Sequence, residues 1–71
     1  MLTDGNFEYE LTRRDVMYNG AKSRRFITVR RKVGKEKWYR VPDTPSFATL
    51  DEAERRFAVF RLNHGLMEAG Q

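Results

Sequence analysis

A two-residue turn signal, Asn19 followed by Gly20, constrains this chain more than any other feature of its sequence. Both residue types tolerate the positive φ angles that the two central positions of a type I′ β-turn require. Residues 6–12 alternate between apolar and polar types before the turn, and residues 24–33 are rich in β-branched and aromatic types after it. The sequence therefore predicts a β-hairpin, with a bulge or short turn at residues 13–15, where the alternation breaks.

A third strand and its end are predicted from the next turn signals. Gly34 and Lys35 offer a second tight turn, and residues 37–41 then alternate in the manner of a strand. Two prolines in the loop of residues 42–46 end the sheet, because proline has no N–H to donate to a neighbouring strand.

The strongest helix signal follows this loop. Thr49 and Glu52 have the spacing of a capping box, and Gly65 is suited to the first position beyond a helix C-terminus. One side of the predicted helix carries an apolar stripe that we expect to face the core: Leu50, Ala53, Phe57, Phe60 and His64. For a chain of 71 residues, these signals predict one small α+β domain over residues 1–71, with a three-stranded antiparallel sheet and one C-terminal helix packed on one face (βββα).

Positive charge is concentrated in the middle of the chain. The whole sequence carries a formal charge of +4, but residues 22–41 contain nine lysines and arginines against Glu36 alone. The apolar residues between these cations are too dense for a disordered tail. We therefore expect a structured basic surface, which favours an anionic partner.

A single helix can cover only one face of a three-stranded sheet. We expect the covered face to carry the apolar residues Ile27, Val29, Val33, Tyr39 and Val41. The opposite face would then stay open and would carry Phe26, Thr28, Arg30, Lys32, Trp38 and Arg40. Cations interleaved with aromatic rings suit nucleic acids, because the cations neutralise phosphates while the rings stack on bases.

This open face is the first candidate functional site. The predicted binding residues are Lys22, Arg24, Phe26, Arg30, Lys32, Lys35, Lys37, Trp38 and Arg40. The leading hypothesis is a nucleic-acid-binding module, with DNA favoured over RNA, that uses the basic face of the second and third predicted strands. The alternative interpretation is that basic strands only keep a small protein in solution.

A second, smaller feature lies on another side of the predicted helix. Ala58, Val59 and Leu62 form an apolar group outside the core stripe. Either this patch contacts a second copy of the chain or another protein, or it is one of the scattered apolar groups that most protein surfaces carry.

Residue types needed for catalysis are scarce. His64 is the only histidine, cysteine is absent, and Ser23 and Ser46 are predicted in turns without a histidine to activate them. We therefore expect no enzymatic activity, no metal site and no cofactor. The apolar runs are much shorter than the roughly 20 residues of a membrane span, and the N-terminus lacks the pattern of a signal peptide. These features predict a cytoplasmic protein without a membrane partner.

The order of a basic hairpin, a short loop and a helix that opens with Phe47, Thr49, Glu52 and Ala53 resembles the AP2-like, arm-type DNA-binding domains at the N-termini of phage and transposon integrases. The resemblance covers residues 24–62, although the acidic first strand and the proline loop depart from the family pattern. It implies a sheet inserted in the DNA major groove. The candidate contacts that it implies are Arg30, Lys32, Trp38 and Arg40.

In size and composition the chain also resembles the small accessory proteins of bacteriophages, including anti-CRISPR inhibitors. This second resemblance implies a different class of function. The chain would then be an inhibitor or adaptor that binds a host protein or a nucleoprotein complex.

Overall fold

The computed structural model describes residues 1–68, which form five strands and one helix. In chain order these are β1 (Leu2–Thr3), β2 (Phe7–Tyr18), β3 (Ala21–Lys32), β4 (Tyr39–Arg40), α1 (Leu50–Asn63) and β5 (Met67–Glu68). The strands form one antiparallel sheet in the order β4-β3-β2-β1-β5. The α+β class, with an antiparallel sheet and one helix, is confirmed. The three-stranded βββα arrangement is wrong, because the sheet has five strands. The sequence did not predict β1 and β5, since strands of two residues are too short to show a period of two.

β2 and β3 form the centre of the fold. Twelve residue pairs join them without interruption, from Phe7 opposite Lys32 to Tyr18 opposite Ala21. Asn19 and Gly20 have φ angles of 51° and 80°, so the predicted two-residue turn is confirmed.

The bulge predicted at residues 13–15 is wrong, because these residues keep the register of the ladder. The apolar alternation ends there for a different reason. All three residues are exposed, so neither face of the hairpin needs apolar side chains at this point.

The third predicted strand is shorter than expected. Of the predicted residues 37–41, Tyr39 and Arg40 alone pair with β3 as a strand. The Val41 N–H adds one further hydrogen bond, to the Thr28 carbonyl at 3.0 Å. The chain then leaves the sheet through the proline loop. It returns at Phe47, whose N–H and carbonyl group both bond the backbone of Phe26 at 2.9 Å.

The predicted cap and stop signals delimit α1. The Thr49 hydroxyl accepts a hydrogen bond from the Glu52 N–H at 3.3 Å. At the other end Gly65 has a φ of 62°, and the N–H groups of Gly65 and Leu66 donate to carbonyls of the last helical turn. This Schellman motif turns the chain back toward the sheet, where β5 pairs with β1. Within residues 1–68, no helix has both the length and the apolar character needed to cross a membrane.

The core forms where α1 packs on the sheet. One cluster of this core contains four buried residues, Leu2, Tyr9, Val41 and Leu66, with Phe7, Phe57 and Phe60 packed against them. The ring centroids of Tyr9 and Phe60 are 5.7 Å apart in a tilted arrangement that aromatic pairs favour. These contacts place the middle of α1 on the Tyr9 face of β2.

The apolar stripe predicted for α1 is only partly buried. Ala53 is fully buried, and Phe57 and Phe60 contact the core. Leu50 and His64, at the two ends of the stripe, are exposed. The His64 ring stacks on Phe60 with a centroid distance of 4.1 Å, and its backbone N–H donates to the Phe60 carbonyl.

The helix covers the face of β3 that was expected to be open. Tyr9, which packs on α1, is paired with Arg30 in the β2–β3 ladder. Because paired residues share a face of the sheet, Arg30 and its alternate neighbour Thr28 lie on the helix side. Thr28 is accordingly only 4% exposed. The prediction that Phe26, Thr28, Arg30 and Lys32 share one open face with Trp38 and Arg40 is therefore wrong.

Ile27 and Val29 lie on the face away from the helix, yet they are only 1% and 0% exposed. The register places Arg25 and Arg31 beside them on β3, and Arg40 opposite Val29 on β4. Among residues 1–68, α1 is the only helix, and it packs on the other face. Arginines in these positions can exclude water, because an arginine can lay its aliphatic stem over apolar groups and keep its charge in solvent.

One carboxylate organises the turn between β1 and β2. Asp4 accepts hydrogen bonds from the N–H groups of Asn6 and Phe7, at 2.9 and 2.8 Å, and from the Tyr9 hydroxyl at 2.9 Å. The bond from the Phe7 N–H is the largest cause that lowers the pKa of Asp4 below its ordinary value of 3.8. Burial, followed by the bond to Asp4, raises the pKa of Tyr9. The turn thereby positions Phe7 and Tyr9 for the core.

The position of α1 can be tested with two truncations on the same helix. Phe60→Ala should lower the free energy of unfolding by about 2–3 kcal/mol, because it removes a half-buried ring that contacts Tyr9 and Phe57. Leu62→Ala is the matched control, since Leu62 is 81% exposed, and it should change the value by less than about 0.5 kcal/mol. Urea denaturation followed by circular dichroism measures both. Equal losses would contradict the helix orientation.

The Asp4 turn predicts a dependence of stability on pH. The folded-state pKa of Asp4 lies below its unfolded value, so its contribution is complete above the unfolded pKa and is lost as the pH falls through the folded pKa. Asp4→Asn should therefore destabilise the protein at neutral pH and make little difference in strong acid. Urea denaturation of both proteins from about pH 7 to about pH 2.5 measures the gap. A gap that stays constant over this range would contradict the prediction.

Candidate nucleic-acid interface

A cleft of about 860 Å³ opens where the start of β2 and the end of β3 meet β4 and the turn before it. Its lining residues are Phe7, Arg30, Arg31, Lys32, Gly34, Lys35, Glu36, Lys37, Tyr39, Arg40 and Pro42. Six of these residues are arginine or lysine and one is acidic. We call this site the basic cleft.

The chain builds the basic cleft by turning back on itself after β3. In this turn the Lys35 N–H donates to the Lys32 carbonyl at 2.9 Å. Gly34 has a φ of 87°, in the left-handed region that glycine adopts without a steric penalty. The turn leads into β4, where Tyr39 is paired with Arg30. The cations of the turn and those of β3 therefore line the same cleft.

The positive charge of the cleft is largely uncompensated. Arg31 forms an ion pair, with its Nε 2.9 Å from a carboxylate oxygen of Glu8. The other five cations have no salt-bridge partner within residues 1–68: Arg30, Lys32, Lys35, Lys37 and Arg40. A concave surface with this charge focuses its field outward and attracts anions.

Arg31 and Arg40 also have structural contacts. The Arg31 guanidinium lies 4.7 Å from the centre of the Trp38 ring and donates to the Met1 sulfur at 3.7 Å. Arg40 donates to the Thr44 carbonyl at 2.9 Å, which leaves its charge unpaired. Arg31 therefore supports the wall of the cleft, whereas Arg40 keeps its capacity to bind an anion.

Two aromatic rings stand among the cations of the cleft. Phe7 is half-buried, and the Arg30 guanidinium lies over its ring at 4.4 Å from the centroid. Tyr39 is 62% exposed. An exposed ring beside unpaired cations can stack on a flat, electron-rich group while the cations bind its charge.

The structure brings five of the predicted binding residues together in the basic cleft, namely the same five unpaired cations. It places the other four elsewhere. Lys22 is paired with Met17 near the hairpin turn, about 33 Å along β3 from Lys32 at the usual rise of a strand. Arg24 lies 3.7 Å from Asp15 in an exposed ion pair.

The two predicted aromatic contacts lie outside the cleft lining. Arg13 lies over the Phe26 ring at 5.4 Å from its centroid, and Phe26 is also bonded through its backbone to Phe47. Trp38 is half-buried beneath Arg31. The face that was predicted from alternation alone is therefore not one surface.

Sequence reasoning missed six of the eleven residues that line the cleft, among them Phe7, Arg31 and Tyr39. The sequence pattern predicts Phe7 on the first strand without including it in the site, and it predicts Tyr39 on the face that the helix covers. The available signal was the length of the hairpin turn. A two-residue turn pairs odd-numbered residues of β2 with even-numbered residues of β3, which puts Phe7 on the same face as Arg30 and Lys32.

A second basic region lies at the far end of the hairpin. Residues 14–25 pair only with each other in the described sheet, so they form a two-stranded ribbon, which we call the arm. Its cations are already in contact with other groups at two places: Arg24 pairs with Asp15, and the Arg25 guanidinium stacks on Tyr18 at 3.6 Å. Arg25 also donates to the Ser46 hydroxyl at 2.7 Å.

The apolar patch predicted on α1 lies at the surface. Ala58, Val59 and Leu62 are all exposed, with Val59 at 52%. The first turn of the same helix carries Asp51 and Glu52, so its N-terminus does not offer a favourable site for phosphate.

The comparisons with known proteins identify no relative. The chain matches no protein-family model, and neither a curated protein nor a solved structure is significantly similar to it. The resemblances to arm-type DNA-binding domains and to phage accessory proteins therefore stay predictions.

Proposed function

We propose that this chain is a small, non-enzymatic nucleic-acid-binding protein and that the basic cleft is its binding site. One observation carries the proposal: five cations without a carboxylate partner among residues 1–68 line a single cleft together with an exposed aromatic ring. Phosphates neutralise such cations, and nucleobases stack on such rings.

The charges of the cleft suit a chain of phosphates better than a single small anion. Arg30 and Lys32 are alternate residues on one face of β3, about 7 Å apart along the strand. Lys35 and Lys37 belong to the turn, and Arg40 belongs to β4. Cations spread over three segments can contact successive phosphates of one backbone. The resemblance to arm-type domains favours DNA over RNA.

The proposed role is binding alone. The cleft is lined by arginine, lysine, aromatic and glycine or proline residues, with Glu36 as its one carboxylate. A general acid–base pair or an activated nucleophile needs at least two cooperating groups of suitable type. His64, the one histidine of the sequence, stacks on Phe60 outside the cleft lining.

Salt dependence tests whether the cleft contacts phosphates. If all five cations do so, affinity for DNA should fall by about 100- to 500-fold between about 50 and 200 mM salt. Fluorescence anisotropy of a labelled oligonucleotide measures this. The absence of binding at low salt, or affinity that is indifferent to salt, would refute the proposed function.

A matched pair of variants locates the contacts. The salt slope is the steepness with which the logarithm of the binding constant falls with the logarithm of the salt concentration. It should be lower by about 2–3 in a triple variant that combines Lys32→Gln, Lys35→Gln and Lys37→Gln, since each lost phosphate contact removes about 0.7–0.9. Arg55→Gln, Arg56→Gln and Arg61→Gln combined remove the same charge from exposed positions of α1 and should leave the slope unchanged. Equal effects of both triple variants would show that net charge, and not the cleft, determines binding.

The exposed patch on α1 favours a second candidate function, an inhibitor or adaptor that binds a protein. Val59→Glu should abolish a protein complex or a homodimer of this kind and leave the affinity for DNA unchanged. Size-exclusion chromatography with light scattering, and pull-down from nuclease-treated host lysate, measure the two outcomes. Loss of DNA binding in Val59→Glu, with binding kept in the cleft triple variant, would favour α1 as the working surface.

A further inference from the structure

Most aromatic rings on the sheet have a cation or another ring stacked on them, and Tyr39 has neither. Four aromatic side chains each have a guanidinium over the ring, in the pairs Arg13–Phe26, Arg25–Tyr18, Arg30–Phe7 and Arg31–Trp38. Tyr9 is buried against Phe60. Among residues 1–68, Tyr39 is therefore the one tyrosine, tryptophan or phenylalanine that is mostly exposed and has no ring or cation stacked on it.

We infer that the basic cleft takes single-stranded DNA, with an unpaired base stacked on the open ring of Tyr39. This inference rests on the proposed function and names the form of nucleic acid that the site accepts. A base is a flat π system attached to a phosphate, so it matches a free ring placed beside unpaired cations.

The register places the ring and a phosphate-binding group within the reach of one nucleotide. Tyr39 and Arg30 are directly paired across β4 and β3, which sets their Cβ atoms about 4.5–5.5 Å apart. Arg30 is held in position by its contact with the Phe7 ring. A nucleotide with its base on Tyr39 can therefore place a neighbouring phosphate near Arg30, and the backbone can continue toward Lys32 on the same face.

The shape of the site favours a single strand over a duplex. The cleft is concave, and its volume of about 860 Å³ lies in the range of pockets that enclose small organic molecules, about 300–1,000 Å³. Bases in a duplex are stacked on one another, so their faces cannot reach a ring on the wall of a pocket without being unstacked. A single strand presents such faces at little cost.

The first test compares strand forms and ring variants. Fluorescence anisotropy with a labelled 12-nucleotide oligo(dT) and with a duplex of equal length should show at least tenfold tighter binding of the single strand. Tyr39→Ala should weaken single-strand binding by about 5- to 100-fold, whereas Tyr39→Phe, which keeps the ring, should stay within about twofold. Tyr18→Ala is the matched control, because Arg25 already covers that ring, and it should also stay within about twofold.

The second test separates base stacking from phosphate binding. Wild type should bind an abasic strand of the same length more weakly than it binds oligo(dT). The factor should be about the same as the one by which Tyr39→Ala weakens the binding of oligo(dT). The Tyr39→Ala protein should bind both strands alike. The salt slope should be the same in wild type and Tyr39→Ala, because the phosphate contacts remain. Thermal denaturation confirms that both are folded.

The outcomes distinguish this inference from the proposed function. Equal affinity for duplex and single strand, or an unchanged affinity in Tyr39→Ala, overturns the inference even if salt-dependent DNA binding persists. Failure of wild type to bind either form at low salt refutes the proposed function itself.

Discussion

The twelve-pair ladder between β2 and β3 is the constraint on which the rest of the structure depends. Its register is set by the two-residue turn at Asn19 and Gly20, since both residues adopt the positive φ angles of a tight hairpin. This register puts Phe7, Tyr9 and Leu11 on one face together with Thr28, Arg30 and Lys32. The aromatic stripe of β2 provides the apolar surface that α1 covers, so the even-numbered residues of β3 are carried to the helix side. A shift of one residue would exchange every one of these assignments.

The same ladder explains how so small a chain carries so many arginines on its sheet. Each guanidinium that stacks on a ring keeps its charge near water while its stem covers apolar surface. Arg31 shows this most fully, because it contacts Trp38, Glu8 and Met1 at once. On the face away from the helix, Arg25 and Arg31 flank the buried Ile27 and Val29 along β3. These arginines therefore contribute contacts to the fold as well as positive charge to its surface.

The basic cleft lies at the end of the β2–β3 ladder, where Phe7 is paired with Lys32. β3 continues beyond the region that α1 covers, and the turn after Lys32 brings Lys35 and Lys37 to the same site. Phe7 at the start of β2 and Tyr39 in β4 complete the lining from residues that are 32 positions apart in the chain. The arm at the opposite end has cations too, among which Arg24 pairs with Asp15 and the Arg25 guanidinium stacks on Tyr18. The basic cleft differs from the arm because its cations line one concave surface.

The sequence by itself determined the features that depend on local backbone preference. The hairpin turn, the Thr49 cap, the end of α1 at Gly65 and the density of cations in residues 22–41 all follow from neighbouring residues, whose conformations hold wherever the chain is placed. Lys32, Lys35 and Lys37 were predicted as site residues for this reason, since they are close in sequence. The tertiary structure alone decided which face of β3 the helix covers and which residues share the cleft. β3 is a central strand with apolar residues on both faces, so its own pattern is ambiguous, and only pairing with β2 resolves it. The pairing of β1 with β5 depends on contacts between distant segments, and so does the placement of Phe7 and Tyr39 in one cleft. Strands of two residues and single aromatic residues give no periodic signal in the sequence, so these features could not be predicted from it.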